Sequence, residues 1–248
     1  MIYKYDGDVD FENIIVQLKK DQQRKVRTKN VNILDDYQNK YWNLYKNDQL
    51  RLRWSTKANM TCGFTVSHQL IDFTKVKSLV DVGCGTGNYF QDILSKYQFD
   101  KVIGIDAVPN FVSLAEEKTK QYNNVEYITS NIFDIKGLNI GQFDLCTFNG
   151  VFQTLDLDSI SDVFDILNGL VKSGGQIWIT ALNYYKSYHW SPDSYRRFVG
   201  LWKYKPEEFF YYMKDDFKDI RYGFYNPNSI LTEDKTNADF VFVHAIKK

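Results

Sequence analysis

The sequence has little cysteine, little proline and no net charge. Its three cysteines, Cys62, Cys84 and Cys146, include no C-x-x-C pair, so they indicate neither a disulfide framework nor a zinc site. Sparse thiols fit a reducing compartment, and we expect a cytoplasmic protein. The four prolines are scattered along 248 residues and mark no linker, so one domain is the simplest organisation.

The balance of charged and apolar residues argues against two classes of partner. Lys plus Arg and Asp plus Glu both number 31, whereas a dedicated nucleic-acid binder needs a net basic footprint. No stretch approaches about eighteen uninterrupted apolar residues, so we expect no membrane span. The N-terminal segment carries early acids and no apolar core of signal-peptide length, which agrees with a cytoplasmic location. Monomer and homodimer both stay open.

Aromatic residues are abundant. The chain has 18 Tyr, 18 Phe and 5 Trp, or 17% of its residues. Rings supply large buried areas to a core, and they also form the walls of pockets for organic ligands. An aromatic-rich core is the simpler interpretation, and a ligand wall can add to it.

Hydrophobic periodicity divides the chain into three zones. Residues 1–73 read as a helical cap, because apolar side chains recur there at spacings of three and four. Residues 74–182 alternate short apolar runs with helical patterns, which is typical of parallel strands joined by right-handed crossovers. The expected strands cover 78–82, 102–106, 125–128, 143–148 and 176–180. Residues 183–248 read as an aromatic insert, helices opening at Ser191-Pro192 and Pro206, and two closing strands.

The predicted fold class is therefore α/β. We expect a Rossmann-like, doubly wound, mostly parallel sheet with an N-terminal helical cap and an insert after the fifth strand. Charge follows the same division, since residues 61–182 hold 8 basic and 14 acidic side chains while both flanking zones are mildly basic. Basic elements covering an acidic sheet favour an anionic ligand in the space between them.

A glycine-rich loop, D-V-G-C-G-T-G at residues 81–87, follows the first strand of the middle zone and opens a helix. Gly83, Gly85 and Gly87 allow a tight turn and close approach of a ligand. The helix behind the loop offers free N–H groups to a carboxylate or phosphate. The spacing departs from the dinucleotide fingerprint G-x-G-x-x-G, and Asp81 would attract an amine and repel a pyrophosphate.

Asp106 ends the next strand, 19 residues after Gly87. An acid at that place can accept both hydroxyls of a ribose, whereas elsewhere it would be an ordinary surface carboxylate. The loop and this acid together predict a site for a ligand that carries a ribose and a charged tail.

These segments resemble the class I S-adenosylmethionine-dependent methyltransferases of the small-molecule type, over roughly residues 76–182. D-V-G-C-G-T-G matches the first motif of that family and V-I-G-I-D the second. The resemblance implies S-adenosylmethionine as cofactor, with its ammonium near Asp81 or nearby carbonyls, its ribose on Asp106 and its adenine near Asn131 and the flanking Ile132 and Phe133. Asn131 stands where the family usually has an acid, but its amide oxygen can still accept from the adenine amine. The implied cofactor-binding residues are Asp81, Gly83, Cys84, Gly85, Gly87, Asp106, Ala107, Asn131, Ile132, Asn149 and Tyr41.

The acceptor is predicted less sharply. Asn149-Gly150-Val151-Phe152 lacks the prolines of the N-P-P-[YF] motif of base-methylating members, and no metal-ligand cluster is expected, so a small-molecule acceptor remains by elimination. His189 is the candidate general base, because imidazole titrates near neutrality, and Gln153 is the second catalytic candidate. The candidate acceptor-binding residues are Arg53, Trp54, Tyr185 and Arg197.

The expected reaction is methyl transfer to an O or N nucleophile of a small polar metabolite such as a sugar, a phosphorylated compound or a natural-product precursor. Two alternatives stay open. One is a protein or RNA methyltransferase recruited through the basic segment at residues 19–27. The other is a non-catalytic partner subunit that keeps the cofactor fold.

Overall fold

A computed structural model describes residues 1–5, 7, 16, 20, 57–155, 157–186, 202–226 and 230–248. Residues 21–56 of the predicted helical cap and the helix predicted to open at Ser191-Pro192 lie outside these ranges. The cofactor-binding zone is described almost completely, and so are the closing strands.

The described residues form one nine-stranded sheet. Its strands are β1 (Ile2–Lys4), β2 (Ser78–Val82), β3 (Lys101–Asp106), β4 (Val125–Thr129), β5 (Phe143–Asn149), β6 (Val171–Leu182), β7 (Phe217–Asn226), β8 (Ile230–Thr232) and β9 (Phe240–Lys247). Their order is β1-β7-β9-β6-β5-β2-β3-β4, and β8 pairs with β7. In this order, the neighbouring strands β6, β5, β2, β3 and β4 are parallel, whereas β9 is antiparallel to both of its neighbours, β6 and β7. The predicted mostly parallel sheet with closing antiparallel strands is confirmed.

Five helices lie within the described ranges: α1 (Lys57–Leu70), α2 (Asn88–Leu94), α3 (Pro109–Thr119), α4 (Ile160–Leu170) and α5 (Pro206–Met213). Pro109 and Pro206 stand in the first turns of α3 and α5, where the missing N–H costs no hydrogen bond. The apolar residues of α4 that recur at spacings of three and four, Ile160, Val163, Phe164 and Leu167, are buried in the structure. The middle zone therefore alternates strands with helices, as its hydrophobic pattern predicts.

Helices cover both faces of the sheet. Alternate residues of β2 enter different apolar clusters: Val80 and Val82 pack with residues of α4 and α5, whereas Leu79 packs with residues of α1 and α2. This alternation follows from the two-residue period of a strand, and it confirms the doubly wound arrangement.

The structure corrects the helical interpretation of the first zone at its beginning. Ile2–Lys4 forms an edge strand antiparallel to β7, with Tyr3 opposite Tyr222 and the two rings stacked at 5.2 Å between centroids. Three residues are too short to show a period, and their partner lies more than 200 residues away along the chain. Only the tertiary pairing therefore makes this segment a strand.

The sequence Ser173-Gly174-Gly175 is typical of a turn that ends a helix, but it does not form one here. These residues belong to β6, which begins at Val171 opposite Phe143 before its register shifts. Gly174 has a φ of +77°, which is consistent with an irregular strand start. Within the residues that the structure describes, no helix has both the length and the apolar character needed to cross a membrane.

Candidate active site

Four loops that carry predicted site residues lie at one edge of the sheet. They follow the carboxyl ends of β2, β3, β4 and β5, which are neighbours and run in the same direction. In an open α/β sheet the ligand crevice lies outside this edge. The topology therefore brings the glycine loop, Asp106, Asn131 and Asn149 to one side of the molecule.

The glycine loop is anchored to β3 and closely packed. The backbone N–H groups of Gly83 and Cys84 both donate to the Ile105 carbonyl, at 2.7 and 3.0 Å. Gly83 has a φ of +76°, and a β-carbon built there would lie 2.2 Å from Cγ2 of Val151. Both the backbone conformation and the close approach therefore require glycine at position 83.

Asp106 joins the loop to β3. Its Oδ2 accepts a hydrogen bond from the Gly85 N–H at 2.9 Å, and its Oδ1 accepts from the Val108 N–H at 2.9 Å. Burial raises the pKa of this carboxyl, while the Val108 and Gly85 N–H groups oppose that rise. Each oxygen keeps further acceptor capacity, so ribose binding by Asp106 stays a prediction that the geometry allows.

Asp81 is buried in the sheet beneath the loop. Its Oδ1 accepts a hydrogen bond from the Thr147 hydroxyl at 2.6 Å. Burial raises the pKa of Asp81 to about 7, with a further rise from the negative charge of Asp106, and the Thr147 hydroxyl partly opposes the effect. Asp81 is therefore poised between its two protonation states near neutrality.

Asn131 caps a short 3-10 helix over Ile132–Leu138, because its Oδ1 accepts from the Phe133 N–H at 3.1 Å. The oxygen predicted to accept from adenine thus already has one donor and keeps one lone pair. Ile132 is buried, whereas Phe133 exposes 45% of its surface. An exposed phenyl ring beside this loop offers a face on which a flat base can stack.

The loop after β5 holds two buried polar atoms without a hydrogen-bond partner among the described residues: Nδ2 of Asn149 and Oε1 of Gln153. The other end of the Asn149 amide is occupied, since Oδ1 accepts from the indole N–H of Trp178 at 2.9 Å. Buried polar groups are nearly always paired in a complete site, so the orphan Gln153 Oε1 indicates a place where a ligand binds.

Tyr185 lies three residues beyond β6 and packs against Phe224, with 6.0 Å between ring centroids. Ammonium groups of Lys235 and Lys205 lie over its ring, 5.4 and 5.7 Å from the centroid. Its described contacts do not include the glycine loop. Its predicted contact with the acceptor stays a prediction.

The other predicted residues fall into two groups. Cys84 is buried and its Sγ lies 3.7 Å from the Gly85 carbonyl, while Ala107 is exposed beside Asp106. Outside the described residues lie Tyr41, Arg53, Trp54, His189 and Arg197. No cluster of three His, Cys, Asp or Glu side chains that could hold a metal lies within the described part of the chain.

Sequence reasoning missed Thr147 and Trp178, which contact Asp81 and Asn149. A signal for Thr147 exists: it is a polar residue inside an otherwise apolar strand, and in register it lies opposite Asp81. Trp178 gives no such signal, because a tryptophan in a buried strand looks like ordinary core.

The strand order and the glycine loop after β2 define the class: this is the Rossmann-like fold of class I S-adenosylmethionine-dependent methyltransferases. Residues 80–179 match the family model described as a methyltransferase domain. Residues 80–179 therefore carry a methyltransferase domain, and the predicted family resemblance is confirmed over these residues.

Individual relatives match this chain at low identity or over part of its length. A probable S-adenosylmethionine-dependent methyltransferase of Saccharomyces cerevisiae, CRG1, is 26% identical over 68% of this chain and 65% of its own. Malonyl-[acyl-carrier protein] O-methyltransferase 1 of Ilyobacter polytropus is 33% identical over 42% of this chain and 37% of its own. The chain thus covers less than two thirds of the length of each.

A solved structure shows the same fold at low sequence identity. The N-methyltransferase NodS from Bradyrhizobium japonicum, in complex with S-adenosylhomocysteine, superposes with a TM-score of 0.63 at 13% identity. The match covers 86% of this chain and 97% of NodS. Similarity at this level establishes the architecture and leaves the acceptor to other evidence.

Proposed function

We propose that the protein transfers the methyl group of S-adenosylmethionine to an O or N nucleophile of a small, polar, anionic metabolite. The observation that carries the proposal is the contact between Gly85 N and Asp106 Oδ2. This contact places a carboxylate against the glycine loop at the carboxyl edge of the sheet. Relatives named as O- and N-methyltransferases support methyl transfer by this kind of domain.

The described residues fit the cofactor. Asp81 and Asp106 are carboxylates suited to an ammonium and to a ribose diol, respectively. The backbone at Gly83 comes close to Val151, which leaves no room for a side chain beside the loop. Asn149 ends β5 at the same carboxyl edge, which suits its predicted contact with the cofactor.

The bound cofactor supplies an electrophilic methyl group, and the protein has to align a nucleophile with it. Gln153 follows the same strand as Asn149, and its buried Oε1 accepts no hydrogen bond within the described residues. This amide oxygen can accept a hydrogen bond from a second N–H of an amine acceptor, or from a hydroxyl next to the reacting one, and so orient the nucleophile. Gln153 therefore positions the nucleophile, and His189 is proposed as the base that takes its proton.

Support for an anionic acceptor comes from two lysines beside Tyr185: Lys205, in the segment after β6, and Lys235, between β8 and β9. Lys205 and Lys235 are half-buried, and neither forms an ion pair within the described residues, although both lie over the Tyr185 ring. A nearby carboxylate, Glu207, contributes with burial to the raised pKa of Tyr185, so that phenol stays neutral. Two unpaired ammonium groups beside a neutral ring suit a carboxylate or phosphate on the acceptor.

The testing experiment uses the purified full chain, methyl-labelled S-adenosylmethionine and a metabolite extract of the native host. We expect label in an anionic small molecule, identified by mass spectrometry. Label only in RNA or protein would contradict the small-molecule proposal, and no label in any fraction would contradict catalysis.

A matched pair of variants tests the anion contact once an acceptor is identified. Lys205→Met should raise the KM for the acceptor about tenfold and leave S-adenosylhomocysteine affinity unchanged. Lys214→Met is the control, because Lys214 also lies over a tyrosine ring but pairs with Asp215. An equal KM change in both variants would remove the support for this subsite.

We further propose that the protein acts in the cytoplasm as a monomer or homodimer without nucleic-acid partners. Cys84 and Cys146 are free buried thiols, which agrees with a reducing compartment. Size-exclusion chromatography with light scattering tests the oligomeric state.

A further inference from the structure

Trp178 lies at the centre of β6 and its side chain is fully buried. Its ring stacks on Phe242 with 5.1 Å between centroids, and in register it lies opposite Thr147 of β5. A tryptophan buried this deeply contributes to the core whether or not its nitrogen has a partner. Its indole N–H nevertheless donates to Asn149 Oδ1 at 2.9 Å.

That hydrogen bond decides which way the Asn149 amide faces. The two ends of an amide have nearly the same shape, and only hydrogen bonding distinguishes them. An indole nitrogen is a donor only, so it selects Oδ1 and turns the NH₂ group to the opposite side. That NH₂ group is buried and has no hydrogen-bond partner within the described residues.

The free end of the amide acts on Asp81. Asn149 lies two residues beyond Thr147 on β5, hence on the same face of the sheet, and Thr147 is the residue that donates to Asp81. The Asn149 side chain lowers the pKa of Asp81, which is the effect of an N–H donor and the opposite of the effect of a carbonyl oxygen. Strand β5 lies between β6, which carries Trp178, and β2, which carries Asp81, so an amide whose oxygen faces the indole turns its NH₂ group toward β2.

We propose that Trp178 is a positioning residue: its indole N–H holds the NH₂ group of Asn149 toward Asp81, so that the Asp81 carboxylate is kept ready for the ammonium of the cofactor. This role rests on the proposed function, because it assigns the ammonium to Asp81. Without the indole N–H the amide can rotate, and its oxygen would then repel the carboxylate.

Other groups around Asp81 do not replace this effect. The titratable groups that interact with it are Asp106, Cys84, Cys146, Tyr89 and Tyr127. Burial raises the pKa of both thiols and both phenols, so they stay neutral at physiological pH. Asp106 carries the other charge, and its effect is to disfavour the ionised Asp81.

The test compares the pH dependence of S-adenosylhomocysteine binding in the parental chain and in Trp178→Phe, by calorimetry from pH 6 to pH 8. Without the Asn149 NH₂ group on the side of Asp81 the carboxylate is disfavoured, so binding should weaken about fivefold at pH 6 and less than about twofold at pH 8. Asn149→Ala should show the same dependence of binding on pH. The double variant Trp178→Phe/Asn149→Ala should bind S-adenosylhomocysteine as well as Asn149→Ala does alone.

Phe242→Leu is the matched control, because it removes the ring stacked on Trp178 and leaves the indole N–H in place. We expect a lower melting temperature and an unchanged pH dependence of binding. Equal weakening by Trp178→Phe at every pH, or the same pH shift in Phe242→Leu, would overturn the proposal. If Trp178→Phe does not fold, Asn149→Ala carries the comparison.

A measurement without ligand separates this proposal from the proposed function. The carboxyl ¹³C chemical shift of Asp81 reports its protonation in the ligand-free chain, and its titration midpoint should move to higher pH in Trp178→Phe and in Asn149→Ala. An unmoved midpoint overturns the positioning role even if the parental chain binds S-adenosylhomocysteine. If the midpoint moves in the variants but the parental chain does not bind S-adenosylhomocysteine, the proposed function and the ammonium assignment are both overturned.

Discussion

Val151 fills the space beside Gly83 that a side chain would need. A β-carbon on Gly83 would lie 2.2 Å from Cγ2 of Val151, in a backbone conformation with a φ of +76°. The contact joins the loop after β2 to the loop after β5. The glycine loop and the segment that follows Asn149 are therefore packed into one unit.

Gly83→Ala should destabilise the protein by about 3 kcal/mol or more, since the left-handed conformation and the overpacked contact both oppose a methyl group. Gly174→Ala is the control, because Gly174 has a φ of +77° but no atom near its missing β-carbon. It should cost about 1–2 kcal/mol. Urea unfolding measures both. Partial rescue of Gly83→Ala by Val151→Ala would establish the clash, and equal losses in the two glycine variants would refute it.

Asp106→Ala should weaken S-adenosylhomocysteine binding at least tenfold, because the ribose loses its acceptor and the loop loses its anchor. Asp144→Ala is a close structural match, since Asp144 Oδ2 also accepts from two backbone N–H groups, those of Lys77 and Ser78, at the other edge of the sheet. Both variants should lose about 1–3 kcal/mol of stability. Calorimetry should show that only Asp106→Ala loses affinity; parental affinity in that variant would refute the ribose assignment.

Asp81→Asn should stabilise the ligand-free protein above pH 7 and weaken its cofactor binding. The pKa of Asp81 is raised from 3.8 to about 7 in the folded chain, so between these values the folded state holds a proton that the unfolded state has lost. Parental stability therefore falls as pH rises from about 4 to 7. The amide cannot ionise, and its advantage should grow over this range to at most about 4 kcal/mol.

Thermal unfolding of the parental chain and Asp81→Asn at pH 4, 5.5, 7 and 8 checks this expectation. A difference that stays constant across the series would mean that Asp81 titrates alike in both states. Unchanged S-adenosylhomocysteine affinity in Asp81→Asn would remove the ammonium assignment.

Phe133→Ala should weaken S-adenosylhomocysteine binding about fivefold or more and leave the melting temperature nearly unchanged. The ring is 45% exposed, so its removal takes little buried apolar surface from the core. Stacking of a base on an aromatic side chain, in contrast, contributes about 1–3 kcal/mol to binding. Ile2→Ala, at a similarly exposed apolar residue on the far edge strand β1, should change neither property. Equal affinity of Phe133→Ala and the parental chain would exclude stacking at this position.

Local sequence patterns predicted most of the fold. Strand β2 and the glycine loop were predictable because an apolar run followed by D-V-G-C-G-T-G has few structural solutions. Helix α4 was predictable because its buried stripe repeats at helical spacing over three turns. Strand β1 was not, because its three residues acquire their conformation only by pairing with β7.

The candidate site was predictable where position along a strand decides the role, as for Asp106 at the end of β3. The residues that hold the predicted site residues in place were not predictable. The Thr147 hydroxyl reaches Asp81, and the Trp178 indole reaches Asn149, only after β2, β5 and β6 align in register. Periodicity shows that such residues are buried, but it does not show what their polar atoms meet.

The central claim is that the carboxyl edge of this sheet holds S-adenosylmethionine. Titration of S-adenosylhomocysteine into the purified full chain, followed by isothermal calorimetry, tests it most directly. The account predicts one site per chain, retained in Asp144→Ala and weakened at least tenfold in Asp106→Ala. Absence of binding to the parental chain, or equal binding to Asp106→Ala, would contradict it.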